Sequence, residues 1–305
     1  SSAASDVYKR QIPTVLTMTV VPILGAGSSM ADYRIGFKWW ALIIAVVFVI
    51  SELVCVACVP ERPVACDEKP GKISDMFKAL FKNDQAMTVV VSIILVYTSL
   101  NICGNLVLYF FRFDVGNEGA YSIFAAVAFA AQVLVMMVIP LLRKRFSKSQ
   151  LFISGFIIQI AGFAVILIMA FAKLYTPQSW YILCLPGILI YLGYGMLNVI
   201  MTIFLSDSVD YGEVMNGTRE ESVIFSMQTF TVKLASGVAV FLAGLVVDWI
   251  NLDTAAAVQT QDTLDALRMW MTIPSVILLI VGIFVFKRFY KLDDTRMEEI
   301  KSKLN

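Results

Sequence analysis

Histidine is absent from this sequence, and only 15% of its 305 residues are charged. Without histidine, the chain cannot use a histidine base, a histidine metal ligand or a histidine pH switch. About a quarter of the residues of a soluble domain are charged, so the low charge argues against a cytosolic enzyme or a disordered protein. The net charge of +1 gives no indication of nucleic-acid binding.

Cysteine is scarce as well, with five residues at Cys55, Cys58, Cys66, Cys103 and Cys184. All five lie in or next to apolar runs. The Cys-x-x-Cys spacing at 55–58 has no second pair, so we interpret these residues as ordinary buried thiols rather than a zinc or redox site. We therefore expect no metal and no cofactor.

Hydrophobic residues, in contrast, make up 59% of the chain, and the mean hydropathy is +0.78. A helix needs about 20 apolar residues to cross the hydrocarbon layer of a membrane. Seven runs are long enough: 39–59, 87–111, 120–142, 151–172, 180–205, 222–247 and 269–286. An eighth run, 12–24, is too short for a comfortable span. The sequence thus predicts an all-α membrane protein with about eight transmembrane helices.

The distribution of Lys and Arg between the connections predicts how these helices are oriented. If the connection 60–86 is cytoplasmic, 18 cations lie on that side and five on the other, with Lys233 inside a span. Cytoplasmic loops carry an excess of Lys and Arg. We therefore expect a multi-pass protein of the cell (inner) membrane with a cytoplasmic C-terminus.

The connections also predict how the chain is organised. Residues 1–11 are polar and contain no Met, and we interpret them as a non-native leader. We expect a remnant of an N-terminal half at 12–59, a central cytoplasmic linker with a short interfacial helix at 60–86, a six-helix half at 87–286 and a cytoplasmic tail at 287–305. This layout is typical of the second half of a twelve-helix transporter. The chain is therefore interpreted as a fragment.

The most informative polar residue is Lys233, which lies near the middle of an apolar run. A charge at the bilayer centre costs roughly 2.5–3.5 kcal/mol and persists where it is paired or faces water. Ser226 and Thr229 share its helical face, and Gln228 flanks that face. Small residues on one face also suit a helix–helix contact. Such a contact does not explain the lysine, so we favour a water-filled transport path.

Two other runs carry weaker polar faces at helical spacing. Their residues are Tyr97, Asn101 and Asn105 in one run and Tyr191, Tyr194, Asn198 and Thr202 in the other. Tyrosine rings and amides at membrane depth could bind a polyol by stacking and hydrogen bonding. They could equally form hydrogen bonds between helices. Each face alone leaves both interpretations open, and three such faces in one bundle favour a shared hydrophilic cavity.

Two cytoplasmic connections carry opposite charge. The segment 206–221 has a net charge of −4, and the segment 143–148 has +4. An ionic latch between them could close the cytoplasmic side of a transporter, although ordinary solvated loops would show the same charges. The candidate latch residues are Asp207, Asp210, Glu213, Arg219, Arg143 and Arg145.

Several of these motifs resemble those of the glycoside–pentoside–hexuronide:cation symporters of the major facilitator superfamily. The similarity is densest over 207–236, with Asp-x-x-Asp-Tyr-Gly-Glu at 207–213, Arg219, Ser-x-Gln-Thr at 226–229 and Val-Lys at 232–233. It extends to Lys-Asn-Asp at 82–84, Asn101, and Arg-Phe-Tyr at 288–290.

The resemblance implies two six-helix halves around a central cavity and coupled uptake of a sugar with Na⁺, H⁺ or Li⁺. It implies that Lys233 lies beside the cation and sugar site, with Gln228 and Thr229 on the sugar side. It also implies that Asp207, Asp210, Glu213 and Arg219 form a cytoplasmic charge network. The lipid bilayer and the missing N-terminal helices of the parent chain would be further partners, and no nucleic acid is implied.

The sequence departs from the family pattern in two respects. Asn198 stands where that pattern has an aromatic residue at the sugar. The intramembrane aspartates of the family lie on N-terminal helices outside this sequence, so we expect the fragment to be inactive on its own.

The alternatives are a carrier of the same fold for an anionic or lipid-like solute, and a non-transporting membrane scaffold or sensor. A membrane enzyme is disfavoured because the spans contain neither histidine nor paired acids.

Overall fold

The computed structural model describes residues 24, 30–58, 82–216, 221–254, 256 and 258–304. Over these residues the chain is helical and forms no β-strand. Seven helices are long and apolar enough to cross a membrane, which confirms the seven predicted spans. The predicted short run at 12–24 and the interfacial helix at 73–82 lie outside the described residues, apart from Leu24 and Lys82.

The chain divides into two units, Ser1–Gly71 and Lys72–Asn305, and the division falls inside the predicted linker. In the first unit the structure describes helix α1, Met30–Cys58. Large apolar side chains along α1, from Ile35 to Val54, are exposed around the whole helix. A helix that is apolar on every side is typical of a membrane span.

The described residues of the second unit form six long helices and a short tail helix. The long helices are α2 (Asp84–Tyr109), α3 (Ala120–Leu142), α4 (Lys148–Phe171), α5 (Cys184–Asn216), α6 (Glu221–Trp249) and α7 (Gln261–Phe289). The tail helix α8 spans Asp294–Leu304. Met297, Ile300 and Leu304 recur at helical spacing along it.

Helices α2 and α5 lie at the centre of this unit. Helix α2 contacts α5, α6 and α7, and α5 contacts α3 and α4. Helices α4 and α7 also contact each other, so α2, α5, α4 and α7 form a closed ring. The rings of Phe152, Phe204 and Phe286 join α4, α5 and α7, with centroids 4.5–5.2 Å apart.

Small residues allow α4 and α5 to approach very closely. A Cβ on Gly193 of α5 would lie 2.5 Å from the backbone oxygen of Gly155 of α4. A Cβ on Gly162 of α4 would lie 2.7 Å from the backbone nitrogen of Ile190. Glycine is the residue that fits at such crossings of membrane helices.

The helices extend beyond the apolar runs that predicted them. Helix α2 begins at Asp84 because Asn83 caps it, its side chain accepting a hydrogen bond from the Ala86 amide. Helix α7 begins at Gln261, with Thr260 as its N-cap. Helix α5 continues to Asn216, so residues 206–216, interpreted above as a loop, are helical. Val209 and Gly212 are buried there, and this packing stabilises polar turns beyond the apolar run.

The helices of the second unit run between two ends of the bundle. We call one of them the tail end; it contains Asn83, the turn from α3 to α4, the C-terminal end of α5, and α8. The far end contains residues 110–119, the turn from α4 to α5, and the start of α7.

A buried ion pair joins α2 to α7 at the far end. Helix α2 ends in a π-helical turn, Phe110–Asp114. The Asp114 carboxylate there accepts hydrogen bonds from Arg268 Nε and Nη2, at 2.8 and 2.5 Å. The two side chains are each only 4% exposed. The Tyr175 hydroxyl donates to the same carboxylate at 2.6 Å, and burial together with this negative charge raises the pKa of Tyr175.

We predict that Arg268→Ala destabilises the second unit by about 3–5 kcal/mol, because it leaves a buried carboxylate unpaired. Unfolding of the purified chain in detergent measures the effect. Arg112→Ala is the matched control, because its pair with Glu118 is exposed (44% and 57%). That substitution should cost at most about 1 kcal/mol. Equal stability of the two variants would contradict the structural role of the buried pair.

Candidate functional site

Two predicted polar faces meet between α2 and α5. Asn198 Nδ2 donates to the Tyr97 hydroxyl at 2.6 Å and lies 3.5 Å from the Tyr194 hydroxyl. The Tyr97 and Tyr194 rings pack edge to face with centroids 5.6 Å apart, and Tyr191 packs on Tyr194 in the same way. We call Tyr97, Asn101, Asn105, Tyr194 and Asn198 the tyrosine–amide cluster.

The asparagines of α2 extend this cluster along the helix. Asn101 Nδ2 donates to the Tyr97 carbonyl at 2.7 Å, and Asn105 Nδ2 donates to the Asn101 carbonyl at the same distance. Both side chains are half-buried. Their side-chain oxygens accept no hydrogen bond from any described residue. The two asparagines therefore present two unused acceptors on α2, about one and two turns after Tyr97.

The hydrogen bonds of these faces agree in part with each of the two interpretations, a sugar-binding face and a contact between helices. Asn198 makes the interhelical hydrogen bond that one interpretation predicted, whereas Asn101 and Asn105 bond only within their own helix. Thr202 also bonds within its helix, to the Asn198 carbonyl. The cluster thus combines a fixed tyrosine pair with amide oxygens that remain available.

The α6 stripe, Ser226, Gln228, Thr229 and Lys233, lies apart from this cluster. Lys233, Thr229 and Ser226 are exposed, and Gln228 is half-buried. Ser226 and Thr229 hydrogen-bond only to carbonyls of their own helix. The opposite face of α6, with Val232, packs in the core. Lys233 therefore lies on the open face of α6, in the middle of a membrane-length helix.

The amine of Lys233 has no hydrogen bond or ion pair with any described residue. Its exposed neighbours Phe230 and Leu234 are apolar, at 52% and 48% exposure. No hydrogen bond between described residues connects the α6 stripe to the tyrosine–amide cluster. The structure therefore places a charged group on the open face of α6, beside two apolar side chains, and does not bring it together with the predicted sugar-side residues of α2 and α5.

The predicted latch region contains an ion-pair network at the tail end. Lys148 Nζ lies 2.5 Å from Asp207 Oδ2 and 3.4 Å from Asp294 Oδ1. Arg143 Nη2 lies 3.4 Å from Asp294 Oδ1. The Lys148 and Asp207 side chains are 7% and 6% exposed. These pairs join α4, α5 and α8 within one unit, and we call Arg143, Lys148, Asp207 and Asp294 the tail-end network.

The remaining latch candidates are placed differently. Arg145 is exposed and has no ion pair among the described residues. Asp210 and Glu213 are half-buried on the last turns of α5. Arg219 lies outside the described residues. Of the six predicted residues, Asp207 and Arg143 enter the network, each through a partner that the sequence analysis did not assign to the latch.

Two motifs quoted for the family resemblance meet at this end. Asn83 Nδ2 donates to the Ser208 carbonyl at 2.8 Å, across 125 residues of sequence. A Cβ on Gly212 would lie 2.8 Å from the same nitrogen, so glycine leaves room for the contact. The Lys-Asn-Asp motif and the Tyr-Gly-Glu motif therefore hold the start of α2 against the end of α5.

Asp294 was missed because it lies in the charged tail, which gives no local sign of a distant partner. Met297 and Ile300 are buried, and they form a small apolar cluster with Leu292. Tyr211 and Val214 of α5 pack on this cluster. Burial alone would raise the pKa of Asp294, but Lys148 and Arg143 outweigh this effect and lower it below 3.8.

The sequence places this chain in a family of known proteins. The sequence profile of the family described as "MFS/sugar transport protein" matches residues 6–294. The chain belongs to this family. The match and the apolar helices confirm an all-α membrane protein of the major facilitator type.

Individual relatives point the same way. The chain is 24% identical over 293 residues to an uncharacterized symporter of Bacillus subtilis, which covers 95% of this chain and 61% of the relative. It is 23% identical to the raffinose carrier protein of Pediococcus pentosaceus (95% and 45% covered). It is 26% identical to the isoprimeverose transporter of Lactiplantibacillus pentosus (92% and 57% covered).

These relatives confirm the predicted resemblance to sugar symporters of the major facilitator superfamily. They are transporters, in agreement with the prediction that the chain is not an enzyme. The chain spans about half the length of the curated relatives that it matches.

We predict that Asp294→Asn loosens α8 at pH 7, because its carboxylate is the part of α8 that binds Lys148 and Arg143. Amide exchange in 294–304 should rise by up to about fivefold, since a half-exposed ion pair contributes up to about 1 kcal/mol. The control is Glu298→Gln, which removes the same charge from an exposed site on α8.

The lowered pKa also sets a pH dependence. The ion pairs of Asp294 stabilise α8 above pH 3.8, the ordinary pKa, and this stabilisation is lost as the pH falls through the lower pKa of the folded state. Wild-type α8 should therefore remain docked at pH 5. Equal exchange in Asp294→Asn and Glu298→Gln would show that the ion pairs do not hold the helix.

Proposed function

We propose that this chain contributes the sugar-facing helices of a sugar:cation symporter of the cell membrane that works by alternating access. The observation that carries the proposal is the exposed amine of Lys233 in the middle of a membrane-length apolar helix. Ionisable groups at this depth mark substrate and ion pathways, because hydrocarbon does not solvate them. Because the relatives are about twice as long, this activity belongs to a complete protein of their length.

The tyrosine–amide cluster supplies chemistry that suits a sugar. The unbonded side-chain oxygens of Asn101 and Asn105 can accept hydrogen bonds from sugar hydroxyls. The Tyr97 ring, held by Asn198, offers an apolar surface for the faces of a pyranose. Since Asn198 stands where the family pattern has an aromatic residue, we infer that this part of the site recognises its sugar by hydrogen bonding more than by stacking.

Lys233 has a different role in this proposal. A bound Na⁺, H⁺ or Li⁺ cannot remain beside an ammonium group unless carboxylates balance both charges. We propose that acidic side chains elsewhere in the complete transporter pair with Lys233 and that the coupling cation competes for them. Cation binding would then release Lys233 toward the sugar, and the coupling between cation and sugar would be reciprocal.

The orientation belongs to the same proposal. We infer that the tail end is cytoplasmic, because most Lys and Arg lie in the connections on that side. The tail-end network would then stabilise the cytoplasmic end of the second unit while the cavity opens outward. It does not itself bridge two halves, because its described members all belong to one unit.

A second candidate substrate is an anionic sugar. One relative, 22% identical, is named a putative sulfoquinovose importer of Escherichia coli. The unpaired amine of Lys233 favours this candidate, since it could bind an anionic group directly.

The experiment is uptake of labelled sugars into proteoliposomes that contain a full-length protein with these residues. We predict accumulation that depends on a Na⁺, Li⁺ or H⁺ gradient, and a loss of that dependence by about tenfold or more in Lys233→Ala, the usual range of coupling between two ligands being about 5–150-fold. Lys233→Arg should retain part of the coupling, because it retains the charge.

Leu234→Ala is the matched control, since it truncates the adjacent exposed side chain on the same helix. It should transport normally. Normal gradient-driven accumulation by Lys233→Ala would refute the proposed role of the lysine. A preference for charged over neutral sugars that disappears in Lys233→Ala would select the anionic candidate.

A further inference from the structure

The same tripeptide, Lys-Arg-Phe, occurs twice at the tail end. Residues 144–146 follow the C-terminal end of α3, and residues 287–289 form the last residues of α7. All six side chains are exposed, and the Phe146 and Phe289 side chains are 47% and 51% exposed. The repetition therefore places two cations and one exposed aromatic ring at the C-terminal end of each of two membrane-length helices.

The four cations of these tripeptides have no ionic partner in the part of the chain that the structure describes. Among the described residues, no acid forms an ion pair with the side chains of Lys144, Arg145, Lys287 or Arg288. The cations of the far end differ, because each one has a partner. Arg112 pairs with Glu118, Lys173 hydrogen-bonds to Gln261, and Arg268 binds Asp114.

The position of the tripeptides relative to a membrane follows from the helices that carry them. Ala120–Leu142 and Gln261–Phe289 are candidate spans, so both tripeptides lie where a span meets the headgroup layer. The helix dipole explains cations at a helix C-terminus. It does not explain an exposed phenylalanine directly beside them. Arg288 lies over the Phe289 ring, 5.6 Å from its centroid, yet half of that side chain stays exposed, as does that of Phe146. Both rings would gain stability in the outer hydrocarbon layer.

We propose that the two Lys-Arg-Phe tripeptides bind the headgroups of anionic phospholipids. The phenylalanine rings insert between acyl chains, and the neighbouring Lys and Arg side chains donate hydrogen bonds to the lipid phosphates. Each tripeptide is a separate site, because α3 and α7 pack on different helices of the bundle. This proposal does not depend on the transported solute.

The test uses the purified 305-residue chain in a neutral detergent. Phosphatidylglycerol or phosphatidylcholine with identical acyl chains is added, and bound lipid is counted by native mass spectrometry. Wild-type protein should retain phosphatidylglycerol in preference to phosphatidylcholine. Lys144→Gln/Arg145→Gln and Lys287→Gln/Arg288→Gln should each weaken phosphatidylglycerol binding at their own site by about tenfold or more, since each cation near a lipid surface contributes substantially.

The matched control is Arg112→Gln/Lys173→Gln, which removes two cations from the far end and should leave phosphatidylglycerol binding unchanged. Phe146→Ser/Phe289→Ser keeps all the charges and should nevertheless reduce retention. Soluble glycerol phosphate, which has the headgroup without the acyl chains, should not displace the lipid. If a charge variant does not fold, the salt dependence of wild-type binding still tests the ionic contacts, which should weaken between 0.1 and 1 M salt, roughly.

Three results would overturn the proposal. Wild-type protein could bind both lipids equally, the far-end control could lose as much binding as the tail-end variants, or glycerol phosphate could compete fully. The last result would assign the sites to free phosphate groups rather than to lipid.

Discussion

Hydrocarbon offers no hydrogen-bond partner, so each polar side chain within a membrane span must find a partner in the protein or reach water. Several polar side chains of the described spans find their partner within the protein. Asp114 and Arg268 satisfy each other in a buried pair. Ser99 and Ser275 each donate to the other's backbone carbonyl, at 3.0 and 2.9 Å. Lys233 has no such partner among the described residues. A charge at that depth needs a polar or aqueous environment, which the described helices do not supply.

The described helices differ in the number of polar contacts that join them to their neighbours. Helices α2 and α7 are joined by polar contacts along their whole length, because Gln85 binds backbone groups of Phe289 and Lys291 at the tail end. The serine pair joins the middle of these helices, and the buried ion pair joins their far ends. On α6, by contrast, Ser226, Thr229 and Ser236 bond only within their own helix. Apolar contacts hold that part of α6.

The sequence predicted the membrane spans well, because a span is a local property: about 20 apolar residues in a row. It predicted less well where helices end. Residues 206–216 are helical although their acids resemble a loop, since Val209 and Gly212 pack against distant parts of the chain. The pairing of Arg268 with Asp114 spans 154 residues, and that of Lys148 with Asp294 spans 146. Local periodicity carries no information about such contacts. The tyrosine–amide cluster was partly predictable because three of its residues share a helical face.

We propose that the open face of α6 borders water in a transporter of the relatives' length. The most direct measurement is the reaction of a membrane-impermeant thiol reagent with Thr229→Cys, in a full-length protein without other cysteines. Ile168→Cys on α4 is the comparison, because its side chain is apolar and 64% exposed. We predict that Thr229→Cys reacts and is protected by the transported sugar, whereas Ile168→Cys does not react. If Thr229→Cys is as unreactive as Ile168→Cys, the open face of α6 borders lipid, and the transport pathway does not include Lys233.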